Sequence, residues 1–514
     1  ADETATTTLN GGTLTLNGAG ITQNLDSLAG SSTGTVSVSG EDATAVFSAD
    51  KTFAGALDIA VANGTLQVDA AVSTTGTVSA KNLTVGVAGS SVKASAFDLS
   101  PEGTLTMDGG TLDLSATNGA TTDIYAISEG SSGTITEGDT TGTIALNKTS
   151  TGLGELNFTA GIGTVALTGT AEAPITVETA GDVNARNLVV GANVLVGDNV
   201  TVGKATDRTG DGLTLNGGTL RGTTNVTVNK VVGDGLWGTV DGDTVIFDLE
   251  QKDTGTVVAG TLNLGSEATD TNKVWIRGEG LTLGEGSVVT ATGDVVNANN
   301  GTATGLVVGG GAAGTATVFD LSATGTKLNV NAVNVYSADE LKLSGDQKIG
   351  IGDKDGKIWL GVAAANTNEA AGKISTKGTL TSLGQTTMNG GRIESIASSP
   401  APAPEQPEEG VFYPEATIHL GDVAMGNGVI SAVDGSVKVA AVSDQGIIAA
   451  KDISVGSVSD DDTDKVILAG SKDGATAADK LTFTGTTASD ISANADSVVN
   501  TKALELADGV NVTI

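Results

Sequence analysis

Polar and apolar residues alternate in short bursts along almost the whole chain. Gly64-Thr65-Leu66-Gln67-Val68 and Gly260-Thr261-Leu262-Asn263-Leu264 are typical. An apolar residue at every second position turns one side of an extended strand to a core and leaves the other wet. Each burst has about the ordinary length of a strand and ends at Gly, Asn or Asp, the residues that turns favour. No long segment shows helical period, a helix cap or a capping box. The pattern predicts an all-β chain with little or no helix.

Three families of segments recur. The first is Leu9-Asn10-Gly11-Gly12-Thr13-Leu14, Met107-Asp108-Gly109-Gly110-Thr111-Leu112, Leu215-Asn216-Gly217-Gly218-Thr219-Leu220 and Met388-Asn389-Gly390-Gly391-Arg392-Ile393. Asn-Gly and Asp-Gly tolerate positive φ at low cost, so each copy reads as strand, tight turn, strand. The second is Ala80-Lys81-Asn82-Leu83-Thr84-Val85-Gly86, Ala185-Arg186-Asn187-Leu188-Val189-Val190-Gly191 and Ala450-Lys451-Asp452-Ile453-Ser454-Val455-Gly456. Its Leu or Ile and the Val two positions on share a strand face, taken as inward. The third is Phe97-Asp98-Leu99-Ser100, matched by Phe319-Asp320-Leu321-Ser322. Each copy follows a Leu-x-Val-Gly segment, so matching pieces keep their order, as duplication of a larger block would leave them.

Repetition at this spacing favours a solenoid, in which each repeat packs only on its neighbours and length is not limited by one core. Three short strands plus turns make a coil of about 20 to 25 residues. An antiparallel sandwich array is the rival, and it would show hairpins and regular linkers. One stretch interrupts the grammar: residues 398–414, reading SSPAPAPEQPEEGVFYP, hold five of the seven prolines. Pro cannot donate to a ladder, so this stretch is no central strand. The expected division is solenoid over 1–397, a Pro-rich excursion or linker over 398–414, and a continuation or second solenoid piece over 415–514.

Composition agrees with many short strands of small and β-branched residues. Gly is 74 of 514 residues and aromatics only 3%, which with so little Pro excludes collagen. Acids outnumber bases, 60 to 26, for a net charge of −34. Backbone binding of nucleic acid needs Lys and Arg, so no nucleic-acid partner is expected, nor docking on an anionic membrane. There is no Cys, which suits a chain exported unfolded. No run is long and apolar enough for a transmembrane helix. The start, Ala1-Asp2-Glu3, reads as an end left by signal-peptide cleavage.

Gly34-Thr35-Val36-Ser37-Val38-Ser39-Gly40, Lys51-Thr52-Phe53-Ala54-Gly55 and Gly64-Thr65-Leu66-Gln67-Val68 together resemble the passenger-associated repeat of bacterial autotransporters. Lys51 stands for the usual Asn and Phe53 for the usual Tyr. The resemblance implies a long right-handed parallel β-helix, exported through an outer-membrane β-barrel and displayed on the bacterial cell surface.

Candidate chemistry is sparse. Gly30-Ser31-Ser32-Thr33-Gly34 fits the letters of a nucleophile elbow, but no helix follows and the sole His is His419. No enzyme activity is expected. Asp460, Asp462 and Asp464 have the opening spacing of a calcium loop, with Lys465 where the Gly belongs and Ser471 where the closing Glu belongs. Asp353 and Asp355 form a weaker pair. Asp460, Asp462 and Asp464 are the candidate metal residues, for calcium alone, against the favoured reading of a solvated acidic loop, and no other cofactor is implied. Trp237, Trp275 and Trp359 are far apart in sequence and read as singletons in core or surface. The function expected is that of a non-catalytic adhesin or extended spacer whose partner is a host-cell or matrix surface. The alternative is a self-assembling extracellular layer or filament that pairs with copies of itself. A carbohydrate-active enzyme is a distant third.

Overall fold

The computed structural model describes residues 6–117, 121–124, 126–128, 131–136, 143–146, 156–167, 175–178, 182–191, 193–203, 212–249, 257–258, 260–265, 273–278, 280–294, 304–309, 316–336, 338–361, 372–395, 417–459, 466–471, 473–483, 491–492, 498–506 and 512–513. None of them is helical. Every strand pairing assigned a register among them is parallel, and the chain is an all-β parallel solenoid. Hairpin pairing, the mark of the rival sandwich, does not occur among these pairs. The chain forms two compact units, Ala1–Gly242 and Asp243–Ile514.

In the first unit three walls grow side by side. Asn10–Leu16, Thr33–Val38 and the start of Leu57–Val68 stack in one. Thr22–Asn24, Thr44–Phe47 and the end of Leu57–Val68 stack in the next. Lys51–Thr52, Ala71–Ser73 and Ser91–Lys93 make the third. Like residues then meet like in register. Leu66 opposes Leu83, which opposes Leu105, and all three are buried. Full burial of one such side chain contributes about 1.5–3 kcal/mol. Leu83, Leu188 and Ile453, inward by the sequence pattern, are all buried.

The second unit repeats the plan. One wall runs through Lys273–Gly278, Gly305–Val308, Ala332–Val335, Lys357–Leu360 and Thr386–Thr387. A second runs through Gly280–Leu283, Val318–Leu321, Glu340–Leu343, Lys373–Thr376 and Arg392–Ser395. Phe319 and Leu321 face inward and are buried, as are Phe97 and Leu99 in the first unit.

The Gly-Gly segments are the corners. In Leu105–Asp113, residues 105–107 pair with residues 83–85, whereas residues 111–113 pair with Ser91–Lys93 in another wall. The two glycines answer different needs. The first takes positive φ in all four copies: +78° at Gly11, +84° at Gly109 and Gly217, +83° at Gly390. The second lies over the neighbouring coil in three of the four copies. A Cβ on Gly110 would stand 2.6 Å from Val85 Cγ1, on Gly218 2.2 Å from the Gly191 carbonyl, and on Gly391 2.4 Å from Leu360 Cβ.

Coil length varies more than the sequence estimate. In the first unit register partners range from Leu66 and Leu83, 17 positions apart, to Val200 and Val226, 26 apart. In the second they range from Val437 and Ile453, 16 apart, to Val288 and Lys327, 39 apart. The extra residues fall between paired strands in the sequence, and the entropic cost of a longer loop grows only slowly. Residues 398–414 lie outside the described residues. On either side, Ile393 opposes Ile430 and Leu380 opposes Ile418, so both flanks take part in the same parallel ladders.

Candidate functional site

Most residues singled out for chemistry prove to be isolated. Asp460, Asp462 and Asp464 lie outside the described residues. Asp353, in a turn, and Asp355, just after it, are exposed. Among the described residues no group of three or more His, Asp or Glu is placed to hold a metal ion. His419 is half-buried on the outward side of its strand, between Thr381 and Lys438 in register. Ser32, central in the elbow-like segment, is buried; its hydroxyl accepts from the Leu9 N–H at 3.2 Å and donates to the Thr7 carbonyl at 3.4 Å. That serine ties two coils together. Trp237 is 46% exposed and lies against Gly217.

The other two tryptophans correct the expectation of singletons. In the first wall of the second unit, Trp275 opposes Val307, Val307 opposes Asn334, and Asn334 opposes Trp359. All four sit at outward positions of their strands, yet Val307, Asn334 and Trp359 are buried. Tyr336 meets Trp359 edge to face, with ring centres 5.3 Å apart and planes at 61°, a favourable aromatic geometry. Trp275 packs against this cluster. The two tryptophans are thus three coils apart in one column. The sequence carried a signal for it: Lys273-Val274-Trp275-Ile276 and Lys357-Ile358-Trp359-Leu360 are one pattern, so both rings fall at the same outward position. Unequal coil lengths hid the match.

Charge enters at the edge of this column. The Trp275 indole N–H donates to the Gly309 carbonyl at 2.7 Å, which fixes the ring. Lys273 and Arg277, two positions before and after on the same strand face, fold toward it. The Lys273 ammonium lies 4.4 Å from the ring centre and the Arg277 guanidinium 4.6 Å, within cation–π range. Arg277 is held by Asp248 at 2.7 Å, its register partner, but its Nε is buried without an acceptor. Burial, and then the charge of Arg277, hold the Lys273 ammonium below the usual lysine range.

No protein-family model, curated protein or solved structure matches this chain.

Proposed function

We propose that this chain is a non-catalytic passenger displayed on a bacterial surface, acting as an adhesin or extended spacer. The observation that carries this reading is the three-walled parallel stack. Each added coil adds outward surface without needing a new core, which is what display requires. The passenger-like segment supports it. Gly34 at φ +110° would place a Cβ 2.2 Å from the Gly12 carbonyl, and Phe53 is buried edge-on to Phe47 at 6.2 Å. The signature positions of the resemblance are therefore those that stacking demands. Export with removal of a signal peptide, and a host-cell or matrix partner, belong to the same reading.

Antibody labelling of intact source cells tests it. The chain is expected to be detected on unpermeabilised cells and lost after brief external protease treatment, and its deletion to reduce attachment to host cells or matrix. Label appearing only after permeabilisation would overturn the reading.

A further inference from the structure

Outward cations in this solenoid tend to find an acid directly across the ladder. Lys93 pairs with Asp113, Arg277 with Asp248, Lys342 with Asp320 and Lys373 with Glu340, at 2.7 to 3.7 Å, and each is also a register pair. Lys273 departs from this rule. Its neighbours in register are Thr244 on one side and Gly305 on the other, neither of them acidic. Lys327, Lys357 and Lys438 also lack an acidic register partner, but they are exposed to water, and half-buried Lys51, opposite Val72, donates to the Leu28 carbonyl at 3.3 Å. Lys273 is half-buried, beside a second cation and above an indole ring, in a chain with 34 negative charges to spare.

We propose that Lys273, Trp275 and Arg277 form a binding site for an acidic saccharide, a uronate-type sugar whose carboxylate accepts from the Lys273 ammonium where that ammonium rests on Trp275. A few placed polar groups beside an aromatic surface is the usual build of a small-ligand site, and a charge-assisted bond to a carboxylate is among the stronger polar contacts. Arg277, anchored by Asp248, supplies positive potential without leaving its place. Nucleic acid is disfavoured because two cations in an acidic chain cannot neutralise a phosphate backbone. A second copy of the chain is disfavoured by mutual repulsion of two strongly acidic molecules. The site gives the display reading a ligand class, but it is tested on the purified chain alone, so absence from the cell surface would leave this result standing.

The experiment is calorimetric titration of the full chain with a glucuronate-containing disaccharide and with its neutral glucose counterpart. The acidic sugar is expected to bind at least tenfold more tightly. Lys273→Met should weaken it at least tenfold, Lys273→Arg should restore it to within about threefold, and Lys327→Met should leave it unchanged. A melting curve for each variant confirms that the fold is retained. Equal binding of the two sugars, no binding of the acidic one, or full binding by Lys273→Met would overturn the proposal. Sedimentation showing self-association that depends on Lys273 would also overturn it, by giving the site to a second copy.

Discussion

The two units build the same inner layer and treat their outer faces differently. In the first, Thr77–Val85 alternates on either side of Lys81-Asn82: Val78, Ala80, Leu83 and Val85 are buried, and the residues between them stay partly wet. In the second, Gly305–Val308 and Ala332–Val335 are buried at every position. Val307, Tyr336 and Trp359 form a cluster on the outside of a wall whose inside is already filled by Leu306, Val333 and Ile358. Asn334 is buried among them and its amide donates to the Thr304 carbonyl at 3.4 Å. A parallel wall thus has two faces that can each bury side chains. Near-continuous apolar runs, as expected for strands covered on both faces, mark where the second face is used.

The largest expected effect separates those outer faces. Trp359→Ala removes a buried aromatic and should cost about 3–5 kcal/mol locally. Thr84→Ala, outward in the first unit, should change stability by no more than about 0.5 kcal/mol. Hydrogen exchange of the ladder amides reads both, because solenoid stability is a sum of neighbouring terms and need not be lost at once. Equal effects would mean the outer cluster contributes nothing beyond an ordinary surface. The inner layers, by contrast, should respond alike. Leu188→Ala in the first unit and Ile453→Ala in the second should each cost about 2–5 kcal/mol, and a loss under about 0.5 kcal/mol at either would mean that face does not pack as the burial indicates.

Much of the inner layer is legible in the sequence. Leu83, Leu188 and Ile453 were placed inward by period-two spacing alone, and the Gly-Gly segments were placed at corners by their turn chemistry. What was not legible depends on coil length. Trp275 and Trp359 share a column only because the coils between them run from Trp275 to Val307, then to Asn334, then to Trp359, in steps of 32, 27 and 25. No fixed period predicts those steps. The lack of an acidic register partner at Lys273 was hidden for the same reason, since its neighbours Thr244 and Gly305 are set by register rather than by sequence. The steric role of the second corner glycine was also hidden, because it arises from the coil beneath.

That glycine gives a test of intermediate size. Gly218→Ala in the first unit and Gly391→Ala in the second both force a Cβ into the adjacent coil, and each should cost about 1–3 kcal/mol as overpacking. Gly12, at the same motif position, has nothing within 4 Å of its would-be Cβ. Gly12→Ala should be neutral or stabilising by up to about 1 kcal/mol, through the entropy of the unfolded chain. Melting curves of the three variants decide it. A penalty at Gly12 matching that at Gly218 would show that the second glycine is needed for backbone conformation, not for room.

The smallest expected effect lies in the ion pairs, and it splits the two units by pH. In the first, Lys93 meets Asp113 at 3.3 Å. Burial tends to raise the Asp113 carboxyl, but hydrogen bonds from Ser115 and the charge of Lys93 outweigh it and hold the group below its ordinary range. In the second, Lys373 sits between Glu340 at 3.4 Å and Glu394 at 3.2 Å. Burial tends to lower this ammonium, but the two carboxylates outweigh it and raise it. Both sites are partly exposed, so each pair should couple by only about 0.2–1 kcal/mol in a double-mutant cycle. The signs then differ. A depressed carboxyl contributes stability that is fully present above its unfolded value and lost as pH falls through the folded one. The Lys93→Met, Asp113→Asn coupling should therefore hold at neutral pH and fade in acid, starting below about pH 4. A raised ammonium contributes stability that is present below its unfolded value and lost as pH rises through the folded one. The Lys373→Met, Glu340→Gln coupling should accordingly persist through mild alkali and, on that side of neutrality, fade above the ordinary lysine range. Denaturant midpoints measured for both cycles at acid, neutral and alkaline pH read the split, and a Lys93–Asp113 coupling that survives full protonation of the carboxylate would show that the pair is held by packing rather than charge.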